Sequence, residues 1–158
     1  MSLTANDILK DNPIVPVVVL DNAEDAVPLA HALLEGGIKL IEVTLRTAAG
    51  LNAIGRIAKE VPEIIVGAGT VISAKDVDTA IRHGATFIVT PGLSRSAVSA
   101  AATAGVPILP GIATATELMA GIELGLTRFK FFPAEQAGGR AMLDAFRGPF
   151  SYVKFCPT

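Results

Sequence analysis

The chain has 158 residues, 51% of them hydrophobic, with a net charge of -2, so it is long enough for one domain with a sizeable core. No apolar run approaches the ~18 positions of a membrane span and no basic block marks a nucleic-acid surface, so neither membrane nor nucleic acid is an expected partner. Cys156 is the one cysteine; it has no internal disulfide partner, which fits a reducing, cytoplasmic location.

In chain order, the N-terminal MSLTANDILKDN lacks the charged and apolar segments of a secretory signal, and Met1-Ser2-Leu3 reads as a cloning remnant. Ile14–Leu20 predicts a buried strand, and Asn22 offers a cap to a helix over Ala23–Glu35 that Gly36-Gly37 stop. Lys39–Leu45 is a second strand, followed by apolar residues at helical spacing in Ala48–Glu60 and a third strand at Ile64–Gly69. Ser73, Ser94 and Thr114 then cap helices running to His83, Ala104 and Leu124, and each helix ends at a glycine. Strands at Thr86–Thr90, Val106–Gly111 and Arg128–Phe132 alternate with them, and a helix over Gln136–Phe146 leads to a seventh strand, Tyr152–Cys156.

Strands apolar on both faces, alternating with helices through tight connections, predict a parallel sheet with helices outside. Repeated βα units without a GxGxxG after the first strand favour a (β/α)8 TIM barrel over a dinucleotide-binding sheet. Such a barrel closes with eight strands, and the seventh reaches nearly to Thr158, so residues 1–158 are expected to form a single, incompletely represented barrel domain.

Chemistry in a barrel sits at the C-terminal ends of the strands. Lys130 stands in an apolar strand between Phe129 and Phe131, with Phe132 next. Lost hydration there disfavours the ammonium and pushes the amine below its ordinary ~10.4, giving a nucleophile toward carbonyls; the alternative is a stem packed on the sheet with its head in water. Glu42, Thr44 and Arg46 share one parity and face one side of the second strand, opposite Ile41, Val43 and Leu45. An acid and a base there suit proton transfer and carboxylate recognition, or they simply pair with each other. Thr70 follows Gly67-Ala68-Gly69, where a ligand can approach the backbone and a hydroxyl can donate, or where the chain merely turns. The strand-exit turn Thr90-Pro91-Gly92 has the same two readings. Lys154 shares parity with Cys156 and Thr158, so parity does not exclude it as a rival amine. His31 and His83 lie on helices without a second ligand at metal spacing, so no metal is expected.

GIKLIEVTLR (Gly37–Arg46) and GLTRFKFFPAEQAG (Gly125–Gly138) resemble the two signature segments of the KDPG/KHG aldolases. These class I enzymes cleave 2-keto-3-deoxy-6-phosphogluconate or 4-hydroxy-2-oxoglutarate. VGAGT (Val66–Thr70), TPGLS (Thr90–Ser94) and FCPT (Phe155–Thr158) are similar to the family at matching places, and the likeness runs from Pro13 to Thr158. The resemblance implies a homotrimeric barrel of the Entner-Doudoroff pathway with a Schiff-base lysine, no cofactor, no metal and a small 2-keto acid as substrate. It makes Lys130 the Schiff-base lysine and Glu42 the general acid/base. It assigns the pyruvate carboxylate to Arg46 and Thr70, assisted by Pro91 and Gly92. Phe132 would pack beside the pyruvyl unit, and Thr158 would meet the aldehyde half. The family pattern continues past FCPT into a Gly-Gly loop and a serine after strand eight that grip the phosphate. Two rivals stand beside this reading: a metal-free phosphosugar isomerase or epimerase on the same fold, and a catalytically dead fragment.

Overall fold

The computed structural model describes residues 4–158; the cloning-remnant reading of Met1-Ser2-Leu3 lies outside them. Seven parallel strands form one curled sheet in strictly sequential order: β1 (Val17–Val18), β2 (Leu40–Thr44), β3 (Ile65–Gly69), β4 (Ile88–Thr90), β5 (Ile108–Ile112), β6 (Arg128–Phe131) and β7 (Lys154–Pro157). Parallel neighbours cannot be joined by a hairpin, so a helix returns the chain between successive strands. After α1 (Ala5–Asp11) these are α2 (Ala26–Glu35), α3 (Gly50–Glu60), α4 (Ala74–Arg82), α5 (Arg95–Ala104), α6 (Ala115–Glu123) and α7 (Gly139–Arg147). This is the expected TIM-barrel architecture.

The helix starts follow local chemistry. The hydroxyls of Ser73, Ser94 and Thr114 accept from the backbone N–H groups of Asp76, Ala97 and Glu117, satisfying donors that the first turn leaves open. Gly105 ends α5 at φ 67, a left-handed conformation that a side chain resists.

Alternate strand residues serve two cores. Ile41 and Val43 pack outward with Ala53, Ile54 and Ile57 of α3, in the apolar layer between sheet and helices. Leu40 points inward, where it meets Phe87, Val89, Leu109 and Ile8. That inner cluster fills the N-terminal end of the barrel, and α1 supplies its Ile8 plug. A third cluster joins β5, β6 and β7 to α6 and α7 through Phe129, Phe131, Leu118 and Phe146. Phe146 lies edge-on to Phe131 at 6.1 Å and stacks on Phe155 at 5.9 Å.

Several predicted boundaries are corrected. β1 is two residues long, not Ile14–Leu20; at its start Pro16 brings no N–H, though its carbonyl still accepts from Glu42 N at 2.9 Å. Residues 23–25 form a tight 3₁₀ turn, capped by Asn22, that precedes α2 rather than belonging to it. α7 starts at Gly139 instead of Gln136, because residues 133–138 close a turn after the cis Phe132–Pro133 peptide. In that turn Ala137 N donates to Pro133 O at 2.9 Å and Gly139 N to Ala134 O at 2.8 Å. β5 runs one residue further than predicted, to Ile112, and β7 begins at Lys154, not Tyr152.

Candidate active site

β6 presents Lys130 to the barrel interior because its neighbours Phe129 and Phe131 are taken up by the outer apolar layer. The residue is only 6% exposed. β2 presents Glu42 by the same alternation, and that residue is 3% exposed. The two side chains meet across the interior, with Lys130 Nζ 3.7 Å from Glu42 Oε1. Burial pushes the Glu42 carboxyl above the usual carboxylate range, while the Lys130 ammonium pulls it back less strongly. A carboxyl held in this way can keep a proton closer to neutral pH than a solvated one, which is the property a general acid needs. Phe132 turns its ring toward the amine, with the centroid 5.2 Å from Nζ.

Lys130 and Glu42 line a cavity of about 410 Å³ that opens toward β1 and β7 and also touches Val17, Phe155, Cys156 and Thr158. Lys130 pairs in register with Cys156. Burial raises the Cys156 thiol, and the nearby Glu42 carboxylate adds to the effect. Thr158 is anchored by backbone bonds at both ends: its N–H donates to Phe131 O at 3.0 Å, and its carbonyl accepts from Ala134 N at 2.9 Å.

Arg46 and Thr70 leave neighbouring strands and touch each other, Arg46 Nε donating to Thr70 Oγ1 at 3.1 Å. Glu42 therefore pairs with Lys130, and the alternative of a Glu42–Arg46 pair is replaced by this arrangement. Thr70 has φ 58, a conformation that β-branched residues avoid; such conformations cluster at active sites and turns. The Pro91-Gly92 turn after β4 folds over β5: Thr90 Oγ1 donates to Gly92 O at 2.6 Å, and the Pro91 carbonyl lies against Gly111, which pairs in register with Lys130. Every predicted site residue thus stands at or beyond the C-terminal end of its strand or on the inner face. Lys130, Glu42 and Thr158 share the cavity, whereas Arg46 and Thr70 form a second group at the exits of β2 and β3.

Lys154 is removed from the site. It is exposed at the start of β7, opposite Arg128 in the register, so the shared parity with Thr158 is real but the height differs. His31 is exposed on α2, and His83 holds its Nδ1 2.8 Å from Thr79 O at the end of α4. Among the described residues, no three His, Cys, Asp or Glu side chains gather as metal ligands. Among them too, no helix is long and apolar enough to cross a membrane.

Fold and site define a barrel enzyme built around a buried lysine and a carboxylate at the strand exits. The sequence model of the KDPG and KHG aldolase family matches residues 5–158, and the chain belongs to that family, whose members are lyases. It is 50% identical to the KHG/KDPG aldolase of Escherichia coli K12 over 155 residues, covering 98% of this chain and 73% of the relative. The KDPG aldolase of Legionella pneumophila, crystallised with pyruvate as a covalent carbinolamine intermediate, superposes with a TM-score of 0.96 at 42% identity, covering 99% of this chain and 76% of that one. The Zymomonas mobilis enzyme with 3-phosphoglycerate gives 0.93 at 45% identity, with 98% and 73% covered. These relatives favour the aldolase over an isomerase or epimerase.

Proposed function

We propose that this protein is a class I aldolase that cleaves 2-keto-3-deoxy-6-phosphogluconate to pyruvate and D-glyceraldehyde 3-phosphate, and 4-hydroxy-2-oxoglutarate to pyruvate and glyoxylate. The observation that carries the proposal is the buried Lys130 amine, 3.7 Å from a Glu42 carboxyl that burial pushes up.

In the proposed mechanism the Lys130 amine adds to the C2 ketone, forming a C–N bond and a carbinolamine. Glu42 donates a proton to the departing hydroxyl, water leaves, and a cationic imine remains as an electron sink. Glu42, now a carboxylate, takes the C4 hydroxyl proton. The C3–C4 bond breaks, its electron pair passes into the imine, and the aldehyde departs. Returning the proton to C3 of the enamine and adding water release pyruvate and the free amine. Arg46 and Thr70 orient the pyruvyl carboxylate with Pro91 and Gly92 beside it, holding the reacting carbon near the amine. Phe132 packs against the pyruvyl unit and Thr158 contacts the aldehyde half.

Assembly as a homotrimer and a cytoplasmic location belong to the same proposal. The trimer rests on the family resemblance and the location on the single cysteine, Cys156; light scattering tests the first and cell fractionation the second. The chemistry is tested by borohydride reduction in the presence of pyruvate, followed by peptide mapping. One reduced pyruvyl adduct on Lys130 is expected. An unmodified protein, or an adduct on another lysine, would overturn the proposal.

A further inference from the structure

Gly69 ends β3 beside Thr44 in the β2 register, one strand away from Glu42. A β-carbon built on it would lie 2.8 Å from both Cγ and Cδ of Glu42, and closer still to Oε1. Carbon atoms do not approach that closely without displacement, and the obstructed group is not the loose end of a surface side chain. It is a 3% exposed carboxylate. Gly69 is not among the residues with positive φ, so alanine fits its backbone and only its space is at issue. The crowded oxygen, Oε1, is the one that faces Lys130 Nζ.

We infer that Gly69 is a positioning residue for the reaction: its missing side chain forms the notch in which the Glu42 carboxyl lies against β3 and points at the Lys130 amine. This goes beyond the use of a glycine-rich strand exit for ligand access. The space above Gly69 is occupied by the protein's own acid/base group. Gly67, two residues earlier on the same face, is comparable in kind but serves packing: a β-carbon there would strike the Phe87 ring at the filled end of the barrel. One glycine thus makes room for the core and the next for the catalytic carboxyl. A methyl at Gly69 would push Oε1 away from Nζ while leaving Arg46, Thr70 and the amine in place.

The inference rests on the proposed roles of Lys130 and Glu42, and two measurements separate its fate from theirs. The first is the rate of borohydride trapping as a function of pyruvate concentration, in the parent, Gly69→Ala, Glu42→Gln and the double variant. Gly69→Ala is expected to lower the maximal rate ~10²-fold, the scale of a lost general acid/base, with the half-saturating pyruvate concentration unchanged. In the Glu42→Gln background the same substitution should lower the rate no further. An unchanged rate in Gly69→Ala, or an equal further loss in the Glu42→Gln background, would overturn the notch. A parent without any Lys130 adduct would instead sink the aldolase reading, and the second measurement then decides the notch by itself.

That second measurement is thermal stability in Glu42→Ala and Glu42→Ala/Gly69→Ala beside the parent and Gly69→Ala. With the Glu42 side chain cut back to a methyl, the three atoms that the added β-carbon would strike are gone, so Gly69→Ala should lower the melting temperature in the parent and leave it unchanged in Glu42→Ala. If Gly69→Ala alone does not fold, a double variant that folds like Glu42→Ala supports the inference. A double variant that also fails to fold, or equal losses in both backgrounds, overturns it.

Discussion

Arg46 donates its Nε hydrogen to Thr70 Oγ1 at 3.1 Å, and Thr70 holds that hydroxyl in place from a left-handed backbone, φ 58. Two strand exits are thereby tied together by a residue whose own conformation is unfavourable by about 1–3 kcal/mol. Strain of this sort persists where surrounding structure enforces it, and here it accompanies a hydroxyl that accepts from the Arg46 guanidinium.

That strain can be measured by comparing two substitutions at the same position. Thr70→Gly removes both the hydroxyl and the conformational penalty, whereas Thr70→Ala removes the hydroxyl alone. Urea denaturation should find Thr70→Gly more stable than Thr70→Ala by about 1 kcal/mol, and both should bind pyruvate more weakly than the parent. Equal stabilities would mean that Thr70 is not strained in solution.

Lys130 and Lys154 are separated by trapping. Lys130→Ala should abolish the pyruvyl adduct, and Lys154→Ala should leave it intact, because Lys154 is exposed at the far end of β7. An adduct that survives the first substitution and disappears with the second would reverse the assignment.

Glu42→Gln preserves the shape of the side chain and removes its proton chemistry. Turnover should fall by ~10²–10⁴-fold with pyruvate binding retained. Steady-state kinetics with a pyruvate-binding control decide it, and unchanged turnover would take Glu42 out of the mechanism.

The raised Glu42 carboxyl has a consequence for stability with a definite sign. Its proton is bound more tightly in the folded chain than in the unfolded one, chiefly because burial disfavours the charge. The contribution is therefore fully present below the unfolded value of about 4.3 and is lost as pH rises through the higher folded value. Glu42→Gln does not titrate, so the stability of the parent relative to this variant should decline across that window. Urea midpoints of both proteins, measured from pH 3.5 upward, check the slope, and a relative gain with rising pH would contradict it.

Phe146 ties α7 to β6 and β7 through its contacts with Phe131 and Phe155. Phe146→Ala empties a site that is 5% exposed and should cost about 3–5 kcal/mol of stability, measured by urea unfolding. A loss below about 1 kcal/mol would show that the neighbouring rings collapse into the space.

Much of this molecule is decided by short-range rules. Ser73, Ser94 and Thr114 begin helices because a side-chain oxygen three residues before a free N–H satisfies it, whatever the rest of the chain does. The two-residue period of a strand sends Glu42 and Lys130 to one face and Val43, Phe129 and Phe131 to the other. The alternation of these elements predicts the barrel, and the Glu42 and Lys130 candidates are legible in the strand pattern alone. Parity, however, names a face and not a height along it. Strand register decided that Lys130 stands opposite Cys156 in the cavity while Lys154, with the same parity as Thr158, sits opposite Arg128 outside it. Register and strand curvature likewise paired Glu42 with Lys130 instead of Arg46, and laid its carboxyl over Gly69. The left-handed turn at Thr70, the shortness of β1 and the Ile8 plug have the same origin. Each depends on what a distant part of the chain places alongside, and distances between residues far apart in sequence exist only once the sheet has curled.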